Sequence, residues 1–163
     1  MASAEGVVEA LRERGLTVAT AESLTGGLVC ARLTAVPGAS VVVVGGVVAY
    51  ANEAKERIAG VDHAVLAEHG PVAAETAAAM AQGVRELLGA GISLATTGVA
   101  GPTEQDGHPP GTVHVAAAAP DGTDVRSFTG GECLRGDRAA VRERTVSVAL
   151  EMLLSAALRA SPK

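Results

Sequence analysis

The residue whose type and setting most clearly suggest catalytic chemistry is Lys55, which lies five positions after the only tyrosine, Tyr50. Lysine occurs elsewhere only at the last position, and the other cationic side chains are arginines. A desolvated lysine can lose its proton, which a guanidinium effectively cannot do. Ser40 precedes Lys55 by fifteen positions, and a neutral lysine can activate a serine hydroxyl as a nucleophile. On spacing alone, a serine in a turn is the more typical interpretation of Ser40.

A second polar segment, Ala21–Gly27, joins a predicted strand to a predicted helix. Free amides at a helix start, together with two glycines, let a phosphate or carboxylate approach the backbone. Ser23 and Thr25 add hydroxyl donors. Helix capping alone produces the same pattern. The glycine spacing matches neither the dinucleotide fingerprint nor the Walker loop.

Two further segments carry candidate binding groups. Thr96–Pro102 is rich in hydroxyls and glycine, and backbone amides near Thr97 could hold an oxyanion, although a tight turn explains the segment equally. Arg138 and Arg142 open the last predicted helix, where cations oppose the helix dipole. They indicate a bound anion or a solvated face. The four histidines are scattered, so we expect no zinc site.

The elements that must position these residues alternate between helix and strand. Apolar periodicity predicts helices over 4–14, 27–35, 52–59, 71–89 and 137–158, and strands over 16–21, 41–50, 92–97, 112–119 and 123–129. Pro120-Asp121-Gly122 predicts a hairpin between the last two strands. This order predicts an α/β fold, a three-layer α/β/α sandwich with a mixed sheet. The valine-rich strand 41–50 is expected to be buried on both faces.

In such sheets ligands bind beyond the carboxyl ends of the strands. The loops that leave predicted strand ends therefore form the expected site: residues 21–27, 50–55 and 97–111. The chain of 163 residues fits a single domain over 1–163.

Composition excludes several classes of protein. A 48% hydrophobic content indicates a packed globule, and a net charge of −5 argues against a nonspecific nucleic-acid binder. Aromatic residues for base stacking are missing apart from Tyr50 and Phe128. Two cysteines form no disulfide framework, and neither a secretory signal nor a membrane-spanning stretch is evident. A reduced, cytoplasmic setting is expected.

Five motifs occur in a fixed order along the chain. They are Ala21-Glu22-Ser23-x-Thr25-Gly26-Gly27, Gly46-x-x-x-Tyr50-x-Asn52-Glu53-x-Lys55, Gly98-x-Ala100-Gly101-Pro102, Pro110-Gly111-Thr112-Val113 and Gly136-Asp137-Arg138. Together they resemble the C-terminal domain of the CinA family over roughly residues 5 to 158. The same domain is found alone as nicotinamide mononucleotide deamidase. With no room for the family's larger N-terminal domain, this chain resembles the stand-alone form.

The resemblance implies a bacterial cytoplasmic amidohydrolase of pyridine nucleotide salvage. Its reaction would convert nicotinamide mononucleotide to nicotinic acid mononucleotide and ammonia through a Ser-Lys acyl-enzyme, with no metal or other cofactor. A homodimer or higher homo-oligomer is implied, with no nucleic-acid or membrane partner. The alternative is a non-catalytic module that binds a pyridine nucleotide and is linked to competence or DNA-damage responses.

The resemblance also implies residue roles. Ser40 is placed first as nucleophile with Lys55 as its base, Tyr50 as a proton donor and Ser23 as a substrate or oxyanion contact; the roles of the two serines can be reversed. The remaining positions are implied as substrate contacts: Glu22, Thr25, Gly26, Gly27, Asn52, Thr97, Gly98, Gly101, Arg138 and Arg142.

The chain departs from the family pattern at several positions. The loop Thr103–Pro109 is more acidic and lacks the usual glycine-rich run. Leu24 replaces a commoner cysteine, and Val41–Val44 replaces a stretch that usually includes an aromatic residue. These changes leave hydrolysis of a different amide or phosphorylated compound as a further alternative.

Overall fold

The computed structural model describes residues 1–160, which form a five-stranded sheet and six α-helices. The strands are β1 (Val18–Glu22), β2 (Val43–Val48), β3 (Ile92–Gly98), β4 (Val113–Ala119) and β5 (Gly122–Phe128). The helices are α1 (Ala4–Glu13), α2 (Leu28–Thr34), α3 (Asn52–Arg57), α4 (His63–His69), α5 (Ala74–Leu88) and α6 (Arg138–Arg159). Among these residues no helix is long and apolar enough to cross a membrane.

The sheet is mixed, with strand order β2-β1-β3-β4-β5. Strands β2, β1 and β3 are parallel, and β4 and β5 are antiparallel to their neighbours. Ala119 pairs with Gly122, so Pro120 and Asp121 form the hairpin turn that the sequence predicts. Because β1 and β3 are adjacent and parallel, the segments that follow them emerge at the same edge of the sheet.

Helices cover both faces, so the predicted three-layer α/β/α sandwich is confirmed. Helices α1, α2 and α6 bury side chains such as Leu11, Leu33 and Leu153 with the larger apolar residues of the sheet. Helix α5 covers the opposite face with Met80 and Val84. The buried sheet residues in that second cluster are all alanines, Ala19, Ala21, Ala95, Ala116 and Ala118. Their small side chains let α5 pack close to the sheet.

The expectation for strand 41–50 is wrong in one respect. The strand is shorter, Val43–Val48, and a 3₁₀ turn occupies Ala39–Val41. It pairs with β1 at the edge of the sheet, and its residues alternate between half-buried and exposed, with Val44 and Val48 among the exposed ones. A run of valines is typical of a strand buried on both faces, but it does not determine the position of the strand in the sheet.

Two helices also differ from the sequence-based prediction. Helix α4 was not predicted because it is short and has no buried residue, so it lacks an apolar stripe. Helix α5 begins at Ala74, three residues after Pro71. The other predicted helices are found within a few residues of their expected ends.

Close packing by α5 fixes the helix that carries Lys55. Gly83 of α5 lies against the backbone of Ala59 and Gly60, which follow α3, and a β-carbon at Gly83 would overlap the Ala59 carbonyl. The α3 residue Lys55 accepts a hydrogen bond at its carbonyl from the Val61 amide at 3.0 Å. The missing side chain at Gly83 therefore lets this segment lie directly on α5.

Candidate active site

A cavity of about 310 Å³ lies beyond the carboxyl ends of β1 and β3. It falls at the small end of the range for ligand pockets. The three loops that follow predicted strands all contribute to it, as expected from the topology. Its lining consists of Ser23, Leu24, Tyr50, Asn52, Lys55, Pro71, Val72, Thr97, Gly98, Val99, Ala100, Gly101, Thr103, Glu104, Gln105 and Arg138.

Lys55 is the buried cation of this cavity, with only 2% of its surface exposed. Its Nζ lies 3.1 Å from Ser23 Oγ and 2.9 Å from the Tyr50 carbonyl oxygen. No carboxylate of residues 1–160 lies within ion-pair distance of Nζ. Burial lowers the pKa of the Lys55 ammonium from 10.5 to about 8. A useful fraction of the amine is therefore neutral near physiological pH.

Ser23 occupies the first position after β1 and presents its hydroxyl to Lys55. Its backbone amide donates to the Thr96 carbonyl oxygen at 3.0 Å, which fixes the chain against β3. Ser23 is 8% exposed, so its hydroxyl is sheltered but still lines the cavity. When Lys55 is neutral, its lone pair can accept the Ser23 proton while an N–H donates to Tyr50.

Ser40 does not contact Lys55, so the predicted pairing of these two residues is wrong. Ser40 is exposed on the 3₁₀ turn before β2 and lines a different cavity, beside Cys30 and Val44. Lys55 follows the opposite end of β2. Six extended residues span about 20 Å. The strand therefore separates the two side chains, and Ser23 takes the place expected for Ser40.

The start of helix α2 is already occupied by an internal carboxylate, that of Glu22. One carboxylate oxygen accepts from the amides of Gly27 and Val29 at 3.0 Å and from Thr25 Oγ1 at 2.7 Å. The other accepts from the Cys30 amide at 2.8 Å. These amides are not free for a substrate phosphate, contrary to the expectation from the sequence. Glu22 is fully buried and supports the turn instead.

Four more residues predicted as substrate contacts instead stabilise the same turn before α2 that Glu22 supports. Thr25 is fully buried and bonded to Glu22. Gly26 and Gly27 adopt positive φ of 57° and 97°, which permits the sharp turn. Arg142 donates to the carbonyl oxygens of Leu24 and Thr25 at 3.0 Å each. None of Glu22, Thr25, Gly26, Gly27 and Arg142 lines the cavity, so their predicted role as contacts is replaced by one in holding Ser23.

Tyr50 and Arg138 close one side of the cavity. Arg138 donates to the Tyr50 hydroxyl and to the Gly101 carbonyl oxygen, each at 2.9 Å. It therefore joins the segment before α3, the start of α6 and the loop after β3. Tyr50 is 57% exposed, and within residues 1–160 the side-chain partner of its hydroxyl is Arg138 rather than Ser23.

Asn52, Thr97 and Gly98 line the cavity as the resemblance implies, although the Thr97 hydroxyl is used internally, donating to the Pro71 carbonyl oxygen at 2.6 Å. Pro71 and Val72 enter the lining from the segment before α5 and were not predicted as site residues. Thr103, Glu104 and Gln105 also line the cavity. They lie in the loop 97–111, which was expected to contribute to the site, but none of them was predicted individually as a contact.

We expect Glu22→Gln to destabilise the fold. A glutamine keeps the shape, but its NH₂ group would face backbone amides that need acceptors, and each buried unsatisfied group costs about 1–3 kcal/mol. Urea unfolding should show a loss of at least that size. Glu143→Gln, which alters an exposed ion pair with Arg32, is the control and should change stability by less than about 0.5 kcal/mol. Equal stability of Glu22→Gln and wild type would contradict the capping role.

Comparisons with known proteins agree with the motifs. The model of the CinA C-terminal domain matches residues 1–157. A CinA-like protein of Frankia casuarinae is 52% identical over 152 residues, which cover 93% of this chain and 34% of that protein. This chain spans about a third of the length of the curated relatives it matches.

Solved structures have the same fold. A CinA superfamily protein of Klebsiella pneumoniae is 32% identical, with a TM-score of 0.89 and coverage of 96% of both chains. A competence/damage inducible protein of Agrobacterium tumefaciens is 37% identical, with a TM-score of 0.80 and coverage of 92% of this chain and 94% of that one. The resemblance drawn from the five motifs is therefore confirmed, and the chain belongs to the CinA C-terminal domain family.

Proposed function

We propose that this protein hydrolyses the carboxamide of nicotinamide mononucleotide, giving nicotinic acid mononucleotide and ammonia. The observation that carries the proposal is the buried contact between Lys55 Nζ and Ser23 Oγ at 3.1 Å, with no carboxylate of residues 1–160 paired to the amine. An amine held in this state is suited to take a hydroxyl proton. The family relationship supports the choice of substrate.

In the first half-reaction Ser23 Oγ attacks the carboxamide carbon while its proton passes to neutral Lys55. The attack forms a C–O bond and places negative charge on the carbonyl oxygen. The Lys55 ammonium then returns the proton to the amide nitrogen, the C–N bond breaks and ammonia leaves. The products of this half are an ester on Ser23 and a neutral Lys55, ready for a second proton transfer.

In the second half-reaction water replaces ammonia. Lys55 takes a proton from the water, the resulting hydroxide attacks the ester carbon and a second tetrahedral oxyanion forms. The bond from carbon to Ser23 Oγ then breaks, and Ser23 recovers its proton from Lys55. The product acid releases its remaining proton to solvent and leaves as a carboxylate, and the enzyme returns to its starting state.

Two groups near Ser23 are suited to the charges of the substrate and of the intermediate. The backbone amide of Leu24, the next residue along the chain, donates to no protein acceptor within residues 1–160, which makes it a candidate to bind the oxyanion. Arg138 is the arginine of the cavity lining and the candidate for the substrate phosphate. Arg142 is not suited to that role because its guanidinium holds the turn before α2.

Ser23→Ala and Lys55→Met should each lower ammonia release from nicotinamide mononucleotide by at least about 1,000-fold, because each removes one partner of a unit that acts together. Ser40→Ala should retain wild-type activity, since Ser40 lies at the far end of β2. A coupled ammonia assay on purified variants measures all three, with thermal unfolding to establish that each is folded.

Loss of activity in Ser40→Ala with full activity in Ser23→Ala would contradict the assignment of the nucleophile. A wild-type protein that binds the mononucleotide but releases no ammonia over hours would support the alternative of a non-catalytic binding module. Activity on other nucleotide amides alone would show that the altered loop 103–109 has changed the substrate. The homodimer implied by the resemblance stays a prediction.

The reaction should accelerate with rising pH through the Lys55 titration. The pKa of Lys55 is lowered to about 8, so below that pH most molecules carry the inactive ammonium. We expect kcat/KM to rise about tenfold per pH unit at the acid end and to level off above pH 8. Initial rates from pH 6 to 9.5 measure this, with thermal unfolding at each pH as a control for folding. A flat profile over this range would contradict the role of Lys55 as the base.

A further inference from the structure

The candidate active site contains one carboxylate in its lining, that of Glu104. Within residues 1–160 the Glu104 side chain makes no hydrogen bond and no ion pair, whereas Arg138 donates both to Tyr50 and to Gly101. The other ionisable amine, Lys55, is buried and hydrogen-bonded to Ser23. The negative charge of Glu104 is thus available to a ligand in the cavity.

A small hairpin places Glu104 at the rim of the cavity. Gln105 and His108 exchange backbone hydrogen bonds of 3.1 and 2.9 Å. The two central residues, Asp106 and Gly107, have positive φ of 51° and 78°, as in a type I′ turn. The acidic loop that replaces the family's usual glycine-rich run is therefore ordered by its own backbone. Glu104, which immediately precedes this hairpin, is held beside the ligand space.

The base of the same loop is also closed by backbone hydrogen bonds. The Val99 amide donates to the Thr112 carbonyl oxygen at 2.8 Å, and the Gly111 amide donates to the Val99 carbonyl oxygen at 2.7 Å. Leu134 then donates its amide to the Gly111 carbonyl oxygen at 2.9 Å. With both its base and its tip ordered by these bonds, the loop keeps the backbone of Glu104 at the edge of the cavity that Ser23 also lines.

We propose that Glu104 is a specificity-determining residue that selects amides carried on a cationic ring. The inference rests on the proposed function, whose substrate has a positively charged, N-alkylated pyridine ring. Tyr50 is the single aromatic residue in the described lining, and its hydroxyl is engaged by Arg138. Recognition of the ring by charge therefore takes the place of an aromatic stacking partner.

The test compares two ligands that differ in ring charge. Nicotinamide mononucleotide is cationic in the ring, and its reduced dihydropyridine form keeps the carboxamide, ribose and phosphate with a neutral ring. Calorimetry gives Kd for both ligands in Ser23→Ala protein, where turnover is removed, and in the same background with Glu104→Gln or Asp106→Asn. Asp106→Asn is the matched control, because it removes a charge from the same hairpin outside the cavity lining and Asn tolerates positive φ.

The expected result is tighter binding of the cationic form in the Ser23→Ala background. Glu104→Gln should reduce the ratio of the two Kd values by about two- to five-fold, the range for a partly exposed charge pair. Asp106→Asn should leave the ratio unchanged. Raising the salt concentration screens the Glu104 charge, so it should reduce the difference in the Kd ratio between proteins with and without Glu104→Gln.

The proposal is overturned if Glu104→Gln leaves the ratio of the two Kd values as it is in Ser23→Ala alone. It is also overturned if Asp106→Asn changes that ratio by the same factor, because the effect would then come from the overall negative charge of the loop. In either case tight binding of nicotinamide mononucleotide would leave the proposed function standing. If neither ligand binds, or if ammonia is still released by Ser23→Ala, the substrate or the nucleophile of the proposed function is wrong and the inference about Glu104 falls with it.

Discussion

The site depends on one constraint: the amine of Lys55 is buried with no carboxylate paired to it among residues 1–160. Desolvation disfavours the ammonium form of Lys55 and lowers its pKa to about 8. An ion pair with a carboxylate would stabilise the ammonium form of Lys55 and raise its pKa, so the amine could not act as a base near neutral pH. The two contacts that Nζ makes instead, with the Ser23 hydroxyl and the Tyr50 carbonyl oxygen, satisfy the amine in either protonation state.

Two carboxylates near the site, those of Glu22 and Glu104, do not pair with Lys55 and have different surroundings. Glu22 comes directly before Ser23, yet its oxygens are directed to the amides at the start of α2. This arrangement satisfies a buried charge with backbone donors and holds Ser23 at the end of β1. Glu104, in contrast, lies at the rim and is exposed. One acid thus supports the turn that carries Ser23, while the other lines the cavity and is the residue that we propose senses the charge of the ligand.

The fold was predictable because its main signals are local. Alternating elements, the Pro120-Asp121-Gly122 turn and the helix-ending glycines predict the mixed sheet and most of the helices. Lys55 could be identified because a single internal lysine stands out in an arginine-rich chain. Helix α4 could not be predicted because nothing on it is buried.

The details of the site were less accessible because they depend on distances between elements. The distance from Ser40 to Lys55 depends on which end of β2 each residue occupies. The sequence Glu22-Ser23-Leu24-Thr25-Gly26-Gly27 is compatible with a phosphate site and with an internal cap, and the direction of the Glu22 side chain decides between them. The position of Glu104 at the cavity could not be predicted because it depends on the hairpin closed by Gln105 and His108. That hairpin lies in a loop without apolar periodicity, so the apolar pattern of the sequence does not indicate it.

The most direct test of this account is the ionisation of Lys55 itself, measured by NMR. Because the chain has two lysines, protein labelled with ¹³C at lysine Cε gives two signals, and the loss of one in Lys55→Arg assigns Lys55. We expect this signal to titrate with a midpoint near the pKa of about 8 to which burial lowers Lys55. A Lys55 midpoint at the ordinary value of about 10.4 would mean that the amine is charged at neutral pH, and the proposed proton transfer from Ser23 would be contradicted.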